Sequence, residues 1–255
     1  NNVIINYLYK NGMCLSIIKI FHNYPFCWRH KIPVIFRATS QWFINIDSLK
    51  SKLGYLFSND AFVNWYPEWG RDRMKFMLQN RPHWCISRQR LWGVPITLFV
   101  HKVSGQLHPK TEVYLDYISD IVKNEGSDFW YNFSEKYFFV DDYNSYNMVF
   151  DVLDVWFDSG SVFLYFFDNY KYFNFPADLY LEGSDQYRGW FQSSFILSML
   201  IFNLPPYKNV LTHGFVLDSF GNKMSKSIGN IILPYDIIFK YGADILRLWA
   251  CSVDY

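Results

Sequence analysis

No stretch of this 255-residue sequence is apolar for long enough to cross a bilayer. The longest apolar run, around Phe191 to Phe202, is broken by Gln192, Ser193, Ser194 and Ser198 and falls short of the roughly 20 residues a spanning helix needs. Asn1 to Lys10 lacks the charged start, apolar middle and small-residue cleavage site of a secretory signal. Cysteine is scarce. Cys14, Cys27, Cys85 and Cys251 are scattered along the chain, which suits reduced thiols in a cytoplasmic protein and not a disulfide framework. Net charge is only +1, so no overall basic field marks the chain as a nucleic-acid binder. Metal-ligand spacing is incomplete as well. Cys27 and His30 have the spacing of half a zinc site and His101 follows, but no second closely spaced Cys or His pair completes a tetrahedral set. No metal site is therefore predicted, zinc included, and His22, His30 and His108 read as ordinary surface or core histidines.

What the chain has is apolar mass. At 51% hydrophobic and 22% aromatic residues it can bury a sizeable core, in one large domain or two modest ones. Its charges are unevenly placed: Arg71, Arg73, Lys75, Arg81, Arg88 and Arg90 cluster with few acids between them, and phosphate contacts are expected on this group. Asp141, Asp142, Asp151, Asp154, Asp158, Asp168 and Asp178 form an acidic half.

Val3 to Ile20 mixes β-branched and polar residues around Asn11-Gly12, which predicts two short strands joined by a hairpin turn. A second β-like run spans Pro33 to Thr39 and leads to Gln41-Trp42-Phe43-Ile44. From His101 to Tyr146 the composition turns polar and aromatic, as expected of an insertion. The final third alternates: a strand from Asp178 to Leu181, an apolar helix to Phe202 capped by Ser184 or Asp185, and a strand from Val210 to Val216. A polar loop holding Gly221 and Gly229 follows, then a helix from Pro234 to Tyr241 and another from near Asp244. Strand, helix, strand, helix predicts a parallel α/β sheet, with ligands beyond the carboxyl ends of its strands.

The sharpest local pattern is Lys223-Met224-Ser225-Lys226-Ser227, a glycine-flanked loop after a strand. Two lysines and two hydroxyls there can close over a triphosphate and neutralise charge on departing pyrophosphate. On the residues alone a solvated lysine loop is equally open, although His213-Gly214 upstream and Ile228-Gly229-Asn230 downstream make a chance match improbable. Glu182, at a strand end facing the same cleft, offers a carboxylate to an ammonium group. Asp185 and Gln186 follow at a helix start, where ribose hydroxyls or an amino-acid head group would bind, and helix capping competes for Asp185.

The lysine loop resembles the KMSKS loop of class I aminoacyl-tRNA synthetases. Further segments are similar to the isoleucine-specific branch of that family: Arg81 to Arg90 (RPHWCISRQR), Trp92 to Ile96 (WGVPI), Asp154 to Gly160 (DVWFDSG) and Leu181 to Phe191 (LEGSDQYRGWF). The likeness runs from Tyr24-Pro25-Phe26-Cys27-Trp28-Arg29-His30 to Gly242 to Arg247, and is loose over the first twenty or so residues and over Val113 to Asn147.

The resemblance implies a Rossmann-type parallel sheet, the second half of a catalytic domain, with a β-ribbon connection and a mixed insertion. It implies four regions: a ribbon over 1–45 returning from an absent editing domain, a connective and basic segment over 46–100, an insertion over 101–150, and the half-domain over 151–255. It implies activation of L-isoleucine with ATP and Mg2+, then transfer to tRNA(Ile), in the cytoplasm. Lys223 and Lys226 would be catalytic. Glu182, Gly183, Asp185, Gln186, Trp156 and Trp190 would hold the aminoacyl adenylate, the two indoles as walls of the side-chain pocket. Lys226, His213, Gly214 and Ser225 would bind ATP. The family's histidine motif, His-Ile-Gly-His or a near relative, does not occur, and the sequence starts at Asn1. A fragment inactive on its own is therefore expected. The alternatives are a valine or leucine enzyme, against which Asp185-Gln186-Tyr187-Arg188-Gly189-Trp190 and Asp158-Ser159-Gly160 argue, and a non-catalytic remnant or binding module of a split synthetase.

Overall fold

The computed structural model describes residues 2–27, 30–58, 62–90, 92–132, 142–172, 174–226 and 228–253; Trp28, Arg29, Asp141 and Ser227 lie outside them. The chain divides into two compact units, Asn1–Ser40 and Gln41–Tyr255.

In the first unit, helix α1 (Asn2–Lys10) stands where two strands were expected. The β-branched residues suggested extended chain, but Val3, Ile4, Tyr7 and Leu8 recur at helical spacing, and spacing prevails over composition. Asn11-Gly12 ends this helix and does not turn a hairpin: the Asn11 N–H donates to Tyr7 O and the Gly12 N–H to Tyr9 O, with Gly12 at φ +65. The ribbon-like feature lies further on, as one antiparallel bridge between Phe26 and Pro33, with the Cys27 N–H donating to Ile32 O at 2.8 Å. Pro33 to Thr39 forms no strand beyond that bridge.

The second unit opens with β1 (Phe43–Ile44), α2 (Asp47–Ser58), β2 (Asn64–Tyr66) and α3 (Trp69–Gln79). Short strands β3 (Trp84–Cys85), β4 (Ser87–Arg88) and β5 (Phe99–His101) follow, then α4 (Thr111–Glu125), α5 (Phe129–Asn132), β6 (Tyr146–Met148) and β7 (Val152–Leu153). The last third holds α6 (Val155–Asn169), β8 (Tyr180–Gly183), α7 (Trp190–Ile201), β9 (Asn209–His213), α8 (Pro234–Tyr241) and α9 (Ala243–Ser252).

The sheet that organises the unit is parallel, in the order β2-β9-β8. β9 is central, with Val210 opposite both Trp65 and Tyr180. Helix α7 buries every residue from Phe191 to Met199, serines included, because it lies within the main core and not on its surface. Its approach to α6 is close: a Cβ on Gly160 would come within 2.9 Å of the Ser193 backbone carbonyl carbon, so only glycine fits there. Burying apolar side chains such as Ile46, Met74, Leu78 and Phe195 contributes about 1.5–3 kcal/mol each. Between β5 and β6, residues Phe99, Ile118, Trp130 and Met148 form a second, smaller core, in which the Trp130 indole donates to Val149 O at 2.8 Å.

Two boundaries differ from the sequence reading. The 178–181 strand is shifted to Tyr180–Gly183, and β9 stops at His213 instead of reaching Val216. After β8, Ser184–Tyr187 make a 3-10 turn and α7 begins only at Trp190. Neither Ser184 nor Asp185 caps it. The Gln186 side chain does, accepting from the Trp190 N–H at 2.9 Å. No helix among the described residues is long and apolar enough to cross a membrane.

Candidate active site

Parallel pairing carries the ends of β8 and β9 to one edge of the sheet, with Glu182 opposite Thr212 and Gly183 opposite His213. Ligands in such sheets bind beyond this edge. Glu182 is exposed there and Gly183 is buried. A Cβ on Gly183 would lie 3.0 Å from Asp185 Oδ1, 3.0 Å from the Phe215 ring and 3.5 Å from the His213 ring, which is the physical reason for glycine between them. His213 Nδ1 lies 2.6 Å from Gly214 O, so Nδ1 donates to that carbonyl.

The lysine loop folds back to the same edge. Lys223 Nζ is 3.4 Å from Asp185 Oδ2 and 3.5 Å from the centroid of the Phe215 ring, a cation-π contact. Both partners of the ion pair are about half exposed, so the contact adds little to stability. It does bring two segments 38 residues apart together. Lys226, three residues further along, is exposed.

The loop has a scaffold that sequence reasoning passed over. Asp218 accepts from the backbone N–H groups of Phe220 and Asn222 at 2.9 and 2.8 Å, and from Asn230 Nδ2 at 2.8 Å. These bonds hold its carboxyl below the usual carboxylate value, the one from Asn230 most strongly. Asn230 Oδ1 in turn accepts from the Ser225 N–H at 2.9 Å. A polar residue after the second loop glycine was the available signal.

Helix α6 delivers Trp156, which is 40% exposed. Its ring edge faces Gly189, where a Cβ would come within 2.8 Å of it. Trp190 lies beside that glycine, stacked on Tyr180 with centroids 4.0 Å apart and its indole donating to Ser159 O at 3.0 Å. The two expected pocket walls thus flank one glycine.

A second network was missed altogether. Asp154, only 6% exposed, caps α6 by accepting from the Trp156 N–H at 3.4 Å. Its other oxygen accepts from Trp84 Nε1 at 3.0 Å and pairs with Arg88 at 2.9 Å. Arg88 is 39% exposed, so the pair is half buried and solvent tempers the cost of losing one partner. Asp158 nearby is pushed above its ordinary value, first by burial and then by the Asp154 charge. Arg81 donates to Gln192 and lies over Trp84, and burial lowers its pKa despite the charge of Asp154.

The arginines that cluster in the sequence divide among several partners. Arg71 pairs with Asp72, Arg73 lies over Trp69 and Tyr187, and Arg81 and Arg88 turn to the internal partners just named. Of these, Arg81 is the most enclosed, whereas Arg73 is exposed and the Arg71 and Arg88 side chains keep 37% and 39% of their surface in solvent. A cavity of about 680 Å3 nonetheless opens beside the network, with Arg88, Arg90, Trp92, Tyr131, Asp154 and Asp158 in its wall. Cys27 Sγ and His30 Nδ1 lie 3.5 Å apart, and the described residues contain no group of three or more His, Cys, Asp or Glu placed to hold a metal ion.

Comparison with known proteins identifies the relatives. Residues 4–255 match the family described as tRNA synthetases class I (I, L, M and V). The isoleucine-tRNA ligase of Coxiella burnetii (strain CbuG_Q212) is 50% identical over 255 residues, covering 100% of this chain and 27% of the relative. That of Vesicomyosocius okutanii subsp. Calyptogena okutanii is 51% identical over the same span, again 27% of its length. The chain therefore spans about a quarter of the length of these relatives. Among solved structures, a methionyl-tRNA synthetase of Mycobacterium tuberculosis bound by methionyl-adenylate matches 91% of this chain and 37% of its own, with a TM-score of 0.53 at 19% identity. A second structure of a methionyl-tRNA synthetase from that organism gives 0.54 at 20% identity over the same shares. Both show the shared fold.

Proposed function

This chain belongs to the class I tRNA synthetases, and we propose that it is the part of an isoleucine-activating enzyme that holds the aminoacyl adenylate and closes over the departing pyrophosphate. One observation carries the reading: Lys223 reaches Asp185 at the common edge of β8 and β9, so the lysine loop and the Glu182 segment serve a single cleft. The specificity for isoleucine rests on relatives of that name at 50 and 51% identity, since the family match alone spans four amino acids.

In this reading the isoleucine carboxylate attacks the α-phosphorus of ATP, a new P–O bond forms, and the bridging bond to the β-phosphate breaks with release of pyrophosphate. Glu182 receives the substrate ammonium, a charge-assisted contact for a carboxylate exposed at a strand end. Asp185 and Gln186 serve the ribose and head group. Gln186 keeps its oxygen on the Trp190 N–H, which leaves its amide nitrogen to the ligand. Lys226 and Lys223 neutralise charge on the leaving group, with His213, Gly214 and Ser225 lining the nucleotide side. Trp156 and Trp190 flank the aliphatic side chain. Magnesium would come with ATP, carried on its phosphates. The second step passes the isoleucyl group to the ribose of tRNA(Ile). The site of action is the cytoplasm, and the histidine motif and editing domain belong to the flanking parts of the enzyme.

The test is ATP–pyrophosphate exchange. With its flanking segments the enzyme should exchange in the presence of isoleucine and far less with valine or leucine, while the 255-residue chain alone should be silent. Equal exchange with all three amino acids, or none with isoleucine, would refute the reading.

A further inference from the structure

We propose that Asp154 is a positioning residue for amino-acid selection, fixing the Trp156 wall of the pocket without touching the substrate. The inference rests on the function proposed above and goes further, because nothing in that reading requires the carboxylate at the start of α6.

The geometry is specific. Asp154 sits at the junction between β7 and α6, and β7 pairs antiparallel with β4, Leu153 opposite Ser87 and Val152 opposite Arg88. The Asp154 N–H donates to Ile86 O at 2.7 Å, and its carbonyl accepts from the Phe157 N–H at 2.7 Å. Backbone bonds thus fix where Asp154 begins. The side chain fixes how α6 leaves: Oδ1 receives the Trp156 N–H, while Oδ2 is held by Trp84 Nε1 and Arg88. Arg88 is itself anchored, donating at 2.9 Å to both Cys85 O and Ser87 O. The carboxylate therefore ties the first turn of α6 to the β3–β4 segment.

Trp156 needs such a tie. The residue is 40% exposed, and its ring edge meets Gly189 so closely that a methyl group there would lie 2.8 Å away. With so much of the residue uncovered, its direction is set by the backbone that carries it. Trp190 is different, since stacking on Tyr180 and a bond to Ser159 O hold it directly. Of the two walls, Trp156 is the one carried by α6 itself, whereas Trp190 takes only an acceptor from it and keeps its stack on Tyr180. Discrimination between isoleucine and valine depends on contact with one methylene, worth about 1–3 kcal/mol in general, a range for which isoleucine enzymes themselves are the standard example. A wall displaced by about 0.5–1 Å forfeits roughly a quarter to a half of such contact.

The experiment uses the enzyme expressed with its flanking segments and reads the ratio of kcat/KM for isoleucine to that for valine in ATP–pyrophosphate exchange. Loss of active protein lowers both values alike and leaves the ratio unmoved, so a merely structural role is separated from a positioning one. Asp154→Ala should lower the ratio about tenfold, chiefly through a higher KM for isoleucine, with the KM for ATP changed by less than about twofold. Asp154→Asn keeps one acceptor for the Trp156 N–H but sets an amide NH2 against the Trp84 and Arg88 donors, so its ratio should fall between those of Asp154→Ala and wild type. Should Asp154→Ala fail to accumulate, Arg88→Gln removes the charge partner, leaves the carboxylate, and should move the ratio in the same direction. A ratio within about twofold of wild type in Asp154→Ala, or in Arg88→Gln where that variant stands in, overturns the inference. Wild-type enzyme with no isoleucine-dependent exchange would instead sink the proposed function, and this inference with it.

Discussion

Replacing Gly70 by alanine tests how tightly α3 is set against the sheet. A Cβ at this position would lie 2.0 Å from the Tyr187 hydroxyl oxygen, 3.1 Å from Tyr187 Cζ and 3.3 Å from Trp65 Cε3. Tyr187 cannot simply swing aside: it is 1% exposed, stacked on Trp65 at 6.1 Å, and its hydroxyl shares a 2.9 Å hydrogen bond with the buried Thr212. Overpacking of this kind costs about 1–3 kcal/mol, and breaking the Tyr187–Thr212 bond adds about 1 kcal/mol. Alanine returns about 1 kcal/mol of helix propensity over glycine. The net expectation is a loss of about 1–3 kcal/mol, or roughly 2–12 °C in Tm for a unit of this size. Removing the obstructing oxygen with Tyr187→Phe should relieve most of that loss, since the nearest remaining ring atom is 3.1 Å away. The four proteins of the cycle, compared by urea denaturation, should therefore show a coupling of at least about 1 kcal/mol, with Gly70→Ala nearly neutral in the phenylalanine background. Additive effects within about 0.5 kcal/mol would refute the reasoning.

Lys223→Ala should leave the unfolding free energy from urea denaturation within about 0.5 kcal/mol of wild type, because its ion pair is half exposed, yet slow exchange by tenfold or more if the lysine serves the leaving group. Equal losses in stability and rate would count against that role. Asp218 has a depressed folded-state value, so its contribution is present above its ordinary 3.8 and is lost as pH falls through the lower folded value. Amide exchange of the loop, followed by NMR, should show protection of the Ser225 and Asn222 N–H groups that is flat from about pH 8 to 5 after correction for intrinsic rates and that fails only below about pH 4. Loss of protection near neutral pH would exclude Asp218 as the anchor. Gln192→Leu leaves the Arg81 guanidinium without its acceptor in a mostly buried site and should cost about 1.5–3 kcal/mol in urea denaturation. A cost below about 0.5 kcal/mol would show that solvent replaces the glutamine.

The sequence disclosed the strands and helices of the last third because each is short, apolar and bounded by glycine, proline or a polar turn. Pro234–Tyr241 lies where Pro234 and Gly242 put it. The meeting of Lys223 with the Asp185 segment was legible for the same reason, since a parallel sheet brings successive strand ends to one edge. Helix α1 was not, because β-branched composition masked a helical repeat. Nor was the Asp154 network: Trp84 and Asp154 are 70 positions apart, and only the antiparallel pairing of β4 with β7 makes them neighbours.

The pairing of β2 with β9 bears on how the molecule comes into being on the ribosome. Asn64 and Asn209 are 145 positions apart, so the edge strand emerges roughly 7–30 seconds before its neighbour has been made, at the usual pace of about 5–20 residues per second. Trp65 waits about as long for Tyr207, whose ring packs edge-on against it. During this interval the nascent chain offers a sticky, half-built layer to any chaperone that scans for exposed aromatic and aliphatic groups.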